Sequence, residues 1–386
     1  MRNGLLRLLL SSSVLLAQGA DAGVTRADVE REAEQALRDT GARGLAIALI
    51  EDGKVVHAGS FGVRNAAGAP LETDTIMYGA SLTKAVFAYY VMQLVDDKRI
   101  ALDTPIDRYL AKPLPDYPAD PRYGPWPDLA GDERWRTLTP RVLLSHGGGF
   151  PNFEWDEPDG KLRIHFDPGS RYAYSGTGII LLQFVLEQGL GLDVGKDIQR
   201  RIFDPLGMAD TSLIWRPTFA ANLADGFDVA GKVEPHDERS KVRAAGSMDT
   251  TIADFAKFAA AYVRGWGLSA SARAELVKAQ LPITTASQFP SLQPEAPPAQ
   301  RRADLAAGLG VIVFDGPQGR GFMKGGHNDT TGNSWVCVEK GRRCVILLAN
   351  DVRAEPAFGR IVETLIGPTG APWRWEYGGM TLLGAP

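Results

Sequence analysis

This chain predicts an α/β architecture: one sheet assembled from its two ends, a helical region inserted between them, and a groove at the junction. Three observations carry the prediction. Strand-like segments occupy "GLAIALIEDGKVVHAGSFGV" near the start and reappear from "LAAGLGVIVFD" onward. Helical and loop segments dominate from about Ser81 to Gln280, with the inserted region placed at about 85–280. No repeat of solenoid or propeller period is visible.

The first residues, "MRNGLLRLLLSSSVLLAQGADAG", carry Arg2 and Arg7, then an apolar stretch, then Ala20-Asp21-Ala22. That layout is expected of a cleavable signal peptide, residues 1–22, on a periplasmic or secreted protein. The apolar part is too short and too serine-rich to remain as a membrane anchor. The main domain is expected over 23–367, followed by a C-terminal tail, 368–386. The net charge of −4, without a basic block, argues against nucleic acid as a partner. A composition of 44% hydrophobic and 23% charged residues is that of an ordinary globular protein.

The segment "RADVEREAEQALRDTG" reads as a helix ending at Gly41, and Asp52-Gly53 as the turn of a hairpin. At 81–84, "SLTK" stands where polar sequence gives way to the apolar run "AVFAYYVMQLV". A lysine at i+3 shares a helix face with the serine and can reach its hydroxyl, a poor nucleophile until its proton is taken. The alternative is a capping serine with a solvated lysine. Two proline-rich passages, "KPLPDYPADPRYGPWPDLAGDERW" and "PITTASQFPSLQPEAPPAQRR", exceed ordinary connections and are expected to border a cleft or to be mobile. Tyr123, Trp126 and Trp135 in or near the first suggest an apolar groove wall, or simple packing.

In "FDPGSRYAYSG", Pro168-Gly169 forces a turn and places Tyr174-Ser175 on a loop before the helix "GTGIILLQFVLEQGLG". A phenol there could act as a base if cations lowered its pKa. In "GFMKGGHNDTTGNSW", Lys324 is followed by Gly325 and Gly326, which would let a ligand approach an open strand edge. Lys324 could hold a substrate carboxylate or lower the pKa of Tyr174. The final strands, "SWVCVEKGRRCVILLAN", turn at Lys340-Gly341 and set Cys337 opposite Cys344, leaving open a disulfide or two reduced, buried thiols. A helix, "AEPAFGRIVETLIG", closes the fold. Two cysteines, five scattered histidines and no His-Glu-x-x-His give no metal-ligand spacing, and no cofactor is expected.

Ser-x-x-Lys opening a helix, a Tyr-Ser loop after Pro-Gly, and Lys-Gly-Gly near the C-terminus follow one another in that order. On these motifs the chain, from about Gly44 to Gly367, resembles the serine β-lactamase-like family: class C β-lactamases, serine D-Ala-D-Ala peptidases and related esterases and amidases. "LLSHGGGF", "RRIFDPLGMADTS" and "GSMDTTIADFAKF" resemble the family's connectors. The resemblance implies an antiparallel sheet with flanking helices and the site in the groove between sheet and helical region. It implies an acylated serine at Ser81, its lysine partner at Lys84, the motif tyrosine at Tyr174 and the third-motif lysine at Lys324. Backbone N–H groups of Ser81 and His327 would form the oxyanion hole, and Ser175, Gly176, Gly325 and Gly326 would line the substrate. "HND" at 327–329 is a competing match for the third motif, disfavoured because Asp329 replaces its glycine.

Two departures stand out. Tyr-x-Asn is Tyr174-Ser175-Gly176 here, and the threonine of Lys-Thr-Gly is Gly325. Both remove groups that grip a β-lactam, and neither is needed to acylate a serine. The expected activity is therefore an esterase or amidase on small or peptide-like substrates. A β-lactamase or D-amino-acid peptidase is the alternative, and a non-catalytic binding or sensor protein a second. "HGGG" at 146–149 could supply oxyanion donors in an α/β-hydrolase, but no Gly-x-Ser-x-Gly accompanies it. His146 is expected to tie down a loop beside the site.

Overall fold

The computed structural model describes residues 24–384. The expected signal segment lies outside them. Among the described residues, the main sheet contains β1 (Gly44–Glu51), β2 (Lys54–Gly62), β3 (Leu281–Pro282), β4 (Ala306–Ala307), β5 (Ile312–Gly316), β6 (Gly319–His327), β7 (Gly332–Val338) and β8 (Arg343–Ala349). Their order is β2-β1-β8-β7-β6-β5-β4-β3, every neighbour antiparallel. The β1–β8 ladder, with Leu45 opposite Ala349, joins the two ends of the chain into one sheet.

Both faces of this sheet are covered. In β1, Leu45, Ile47 and Leu49 enter one apolar cluster, and Ala46, Ala48 and Ile50 enter the other. The strand period of two thus feeds two cores, each fully buried Leu or Ile contributing about 1.5–3 kcal/mol. Helices α1 (Arg26–Thr40) and, near the end of the chain, α5 (Phe358–Ile366) cover the first face. Helices α2 (Leu82–Asp96) and α4 (Ile252–Arg264) pack on the second. There Trp335 of β7 lies against Phe255, Phe258, Tyr262 and Phe322. Between α2 and α4 comes the inserted region, which includes α3 (Gly176–Phe184).

Several turns form where their residues require. Thr25 and Asp28 close a capping box on α1, and Gly41 ends it at φ +68°. Asp52 and Gly53 turn the first hairpin at φ +48° and +70°. Gly341, at φ +76°, turns the last, and Cys337 pairs directly with Cys344 at a Cα separation of 4.1 Å, the sulfurs bonded.

Three segments depart from expectation. The strand expected through "LAAGLGVIVFD" is two, β4 and β5, parted by residues 308–311. Gly310 passes so close to α2 that a Cβ there would lie 2.8 Å from the Lys84 carbonyl oxygen. Tyr123, Trp126 and Trp135 do not form a groove wall: all are buried in the core, the first two against Phe184 of α3. Their wide apolar rings find more contact inside the helical region than at its edge. Residues expected as a tail begin with a short helix, Trp373–Glu376, whose Trp373 and Trp375, with Tyr377, are buried in the first cluster.

Candidate active site

Ser81 sits immediately before α2. Its side chain makes no capping bond to that helix, and its own N–H has no hydrogen-bond partner among the described residues. The capping alternative is thereby set aside. Ala80 holds φ +46°, a conformation unfavourable for an alanine, and so bends the chain just before the serine. The rest of the first turn is anchored: Thr83 Oγ donates to Ala80 O at 2.6 Å and accepts from the Met248 N–H at 3.1 Å.

Lys84 projects from the first turn of α2 and is 1% exposed. Its Nζ lies 2.9 Å from Ser81 Oγ and donates to the Ala245 carbonyl at 2.6 Å. Burial, and second to it the charge of Lys324, push its pKa well below the usual lysine value. The amine, oriented by the Ala245 carbonyl, thus faces the serine hydroxyl in surroundings that disfavour its charged form.

The Tyr174 ring lies between two amines, with Lys84 Nζ 4.9 Å and Lys324 Nζ 5.1 Å from its centroid. Its hydroxyl is 3.4 Å from Lys324 Nζ. As a base the phenol would need its pKa lowered by cations. It goes the other way: burial raises its pKa, and the nearby Ser81 hydroxyl offsets only part. Lys324 is 4% exposed and donates to its own neighbour's carbonyl, Gly325 O, at 2.6 Å. Burial brings its pKa down to about 8, against an opposing pull from Glu376. Its amine meets the Tyr174 hydroxyl, and Tyr174 rather than Lys324 lines the cleft.

The cleft, ≈ 490 Å³, is lined by Ser81, Lys84, Tyr174, Gly325, Gly326 and His327. The pairing of β6 with β5 stops at Met323–Ile312, so Lys324–His327 run on with that edge free of a strand. Both glycines are spatially required. A Cβ on Gly326 would lie 2.9 Å from the Leu82 nitrogen and from the Gly79 oxygen; one on Gly325 would lie 1.8 Å from Glu376 Oε1. His327 is one-third exposed, with Nδ1 3.2 Å from Glu355 Oε1. Burial disfavours its cation, but the Glu355 carboxylate outweighs burial and raises its pKa.

Ser175 and Gly176 were expected to line the substrate and do not. Ser175 is buried and caps α3, its Oγ accepting from the Gly178 N–H at 2.9 Å and donating to Pro151 O at 2.8 Å. A Cβ on Gly176 would lie 2.6 Å from the Phe153 ring, so a side chain there would have to displace that ring. Asn152 stands beside it instead: its Oδ1 accepts the Gly176 N–H at 3.0 Å, and the residue faces the cleft. His146 ties the loop as expected, its Nδ1 accepting the Ser175 N–H at 3.1 Å and its ring lying 4.6 Å from Tyr174.

Sequence reasoning missed the Ala245 carbonyl, Asn152, the aromatic rim of Phe153, Trp155 and Phe289, and Glu376. A backbone carbonyl has no sequence signature. Phe289, however, comes from the second proline-rich passage, which does border the cleft. Among the described residues no three His, Cys, Asp or Glu side chains gather as a metal site.

The protein is similar to "Putative beta-lactamase-like 1" of Homo sapiens, 29% identical over 61% of this chain and 49% of that one. It is similar to esterase EstB of Burkholderia gladioli, 26% identical over 50% and 53% of the two chains. The chain spans about half the length of the curated relatives it matches. The solved D-alanine carboxypeptidase AmpC of Burkholderia cenocepacia shares the fold, with a TM-score of 0.68 at 17% identity over 89% of this chain and 98% of that one. The model of the family described as "Beta-lactamase" matches residues 29–364, most of the sequence. The chain belongs to the beta-lactamase family.

Proposed function

We propose that the protein is an exported serine hydrolase that forms an acyl-enzyme on Ser81, and that it acts as an esterase or amidase on small or peptide-like substrates. One observation carries the reading: a buried Lys84 amine, its pKa pushed down by burial, 2.9 Å from the Ser81 hydroxyl in an open cleft. In this reading the Lys84 lone pair takes the Ser81 proton as Oγ bonds to the substrate carbonyl carbon. The negative charge that develops on the carbonyl oxygen is met by the N–H groups of Ser81 and His327, about 3 kcal/mol for each aligned donor. Collapse of the intermediate breaks the bond to the leaving alcohol or amine. Tyr174, kept protonated by its raised pKa, hands that group a proton and is reprotonated from Lys84. Water then repeats the sequence in place of Ser81 and releases the acid.

Esterase or amidase is preferred to β-lactamase because Gly176 and Gly325 replace the asparagine and threonine of the resembled motifs, and because EstB is among the relatives. The D-alanyl-D-alanine-carboxypeptidase/endopeptidase AmpH of Escherichia coli, 25% identical over 48% of this chain, keeps peptidase activity as the alternative. Export rests on the layout of residues 1–22. The test sets a p-nitrophenyl acyl ester, a chromogenic cephalosporin and a D-Ala-D-Ala peptide side by side. The ester is expected to turn over fastest, with an acyl adduct on Ser81 by mass spectrometry and loss of turnover in Ser81→Ala. No turnover of any of the three, and no adduct, would refute it.

A further inference from the structure

Among the described cleft residues, Glu376 has chemistry that the proposed reaction leaves unused and a buried oxygen that its environment leaves unpartnered. The short helix that carries it, Trp373–Glu376, is held firmly: the Trp375 carbonyl accepts the Gln288 N–H at 2.9 Å, and Trp375 Nε1 donates to Thr285 Oγ1 at 3.2 Å. The carboxylate is only 5% exposed and lines the same cleft as Ser81. Its Oε2 is buried without a hydrogen-bond partner, and the residue makes no ion pair among the described residues. Its Oε1 lies where the first atom of a side chain at 325 would otherwise be.

Lys324 and His327 feel the Glu376 charge, but each nearby cation makes its hydrogen bonds elsewhere. Lys324 Nζ donates to Gly325 O and reaches Tyr174, His327 is bonded to Glu355, and Lys84 is turned to Ser81 and Ala245. A buried carboxylate without a partner is costly, and a ligand that brings the missing donor removes the cost. We propose that Glu376 is a specificity-determining residue that receives a protonated amine, carried by the substrate close to its scissile carbonyl, and that it turns away carboxylates. The carboxylate stands in the space Gly325 vacates, beside the open edge of β6, so an amine bound there lies along the same strand edge as the reacting carbonyl. A carboxylate in that place would meet an anion at close range, while Lys324 Nζ is hydrogen-bonded to Gly325 O and Tyr174.

The inference rests on this cleft being the substrate site, and its test separates failure there from failure of turnover. n-Hexylamine, hexanol and hexanoate are compared as competitive inhibitors of p-nitrophenyl butyrate hydrolysis, in the wild-type chain and in Glu376→Gln. One charge-assisted hydrogen bond predicts hexylamine binding about 10- to 100-fold more tightly than hexanol, with hexanoate weakest. In Glu376→Gln the amine-to-alcohol ratio is expected to fall to near one, with a thermal melt confirming that the variant is folded. The same three ligands are ranked by the shift they produce in melting temperature, which decides the question even if no ester is hydrolysed. Hexylamine binding no tighter than hexanol, tightest binding by hexanoate, or an amine preference that survives Glu376→Gln would each overturn the proposal.

Discussion

Replacing Lys324 by methionine tests how the site depresses the Lys84 pKa. Burial is the larger cause of the low Lys84 pKa, and the Lys324 charge the second. The two amines lie 4.9 and 5.1 Å from the centroid of one ring, so they are no more than about 10 Å apart. At an effective dielectric of about 20, two like charges at that distance repel by about 1.7 kcal/mol, or somewhat over one pKa unit. A shorter separation makes the effect larger. Lys324→Met removes the repulsion, so Lys84 holds its proton to higher pH. The acid limb of kcat/KM, where Lys84 must shed its proton to act, is expected to move up by at least about one unit. Methionine is apolar and of similar length, which suits a side chain that is 4% exposed. The assay is the pH profile of p-nitrophenyl ester hydrolysis, read as the position of the limb rather than its height. An acid limb that stays in place, or moves down, would refute the claim that Lys324 depresses the Lys84 pKa.

Two further predictions concern stability. Gly325→Ala puts a methyl group 1.8 Å from Glu376 Oε1 and is expected to cost about 1–3 kcal/mol in urea unfolding. In a Glu376→Ala background that cost should fall to near zero; an equal cost in both backgrounds would show that the two residues do not compete for one space. His146 is buried with its pKa well below the ordinary histidine value, from burial first and then the Lys84 and Lys324 charges. The unfolded chain therefore takes up a proton near pH 6.5 that the folded chain refuses, so stability falls as pH drops below that value, by up to about 1.4 kcal/mol per unit. His146→Ala is expected to flatten this slope by one proton, while lowering stability at pH 7 by about 1–3 kcal/mol through the unpartnered Ser175 N–H. An unchanged slope between pH 5 and 6.5 would contradict the buried neutral ring.

How much of this was legible beforehand depended on the range of the interaction. The hairpin at Asp52-Gly53, the end of α1 at Gly41 and the register of Cys337 with Cys344 are local, set by residues that tolerate positive φ and by the strand period of two. Ser81 and Lys84 were legible as a pair because three residues along a helix make them neighbours whatever the rest of the chain does. Tyr174 and Lys324 could be named from motif order, but the direction of the Tyr174 pKa could not. That direction depends on burial, which the fold decides. Tyr123, Trp126 and Trp135 show the same limit from the other side, since an aromatic residue in a loop looks alike whether it lines a groove or fills a core.

By itself the sequence determined the sheet joined from both ends, the serine–lysine pair and the glycines after Lys324, because spacing and backbone preference act between near neighbours along the chain. Only the tertiary structure decided that Lys84 is desolvated, that Ser175 is a helix cap, and that a carboxylate from the last turn of the chain fills the space left by Gly325. Electrostatics and packing in a cleft depend on which distant segments exclude water together, and no local pattern encodes that.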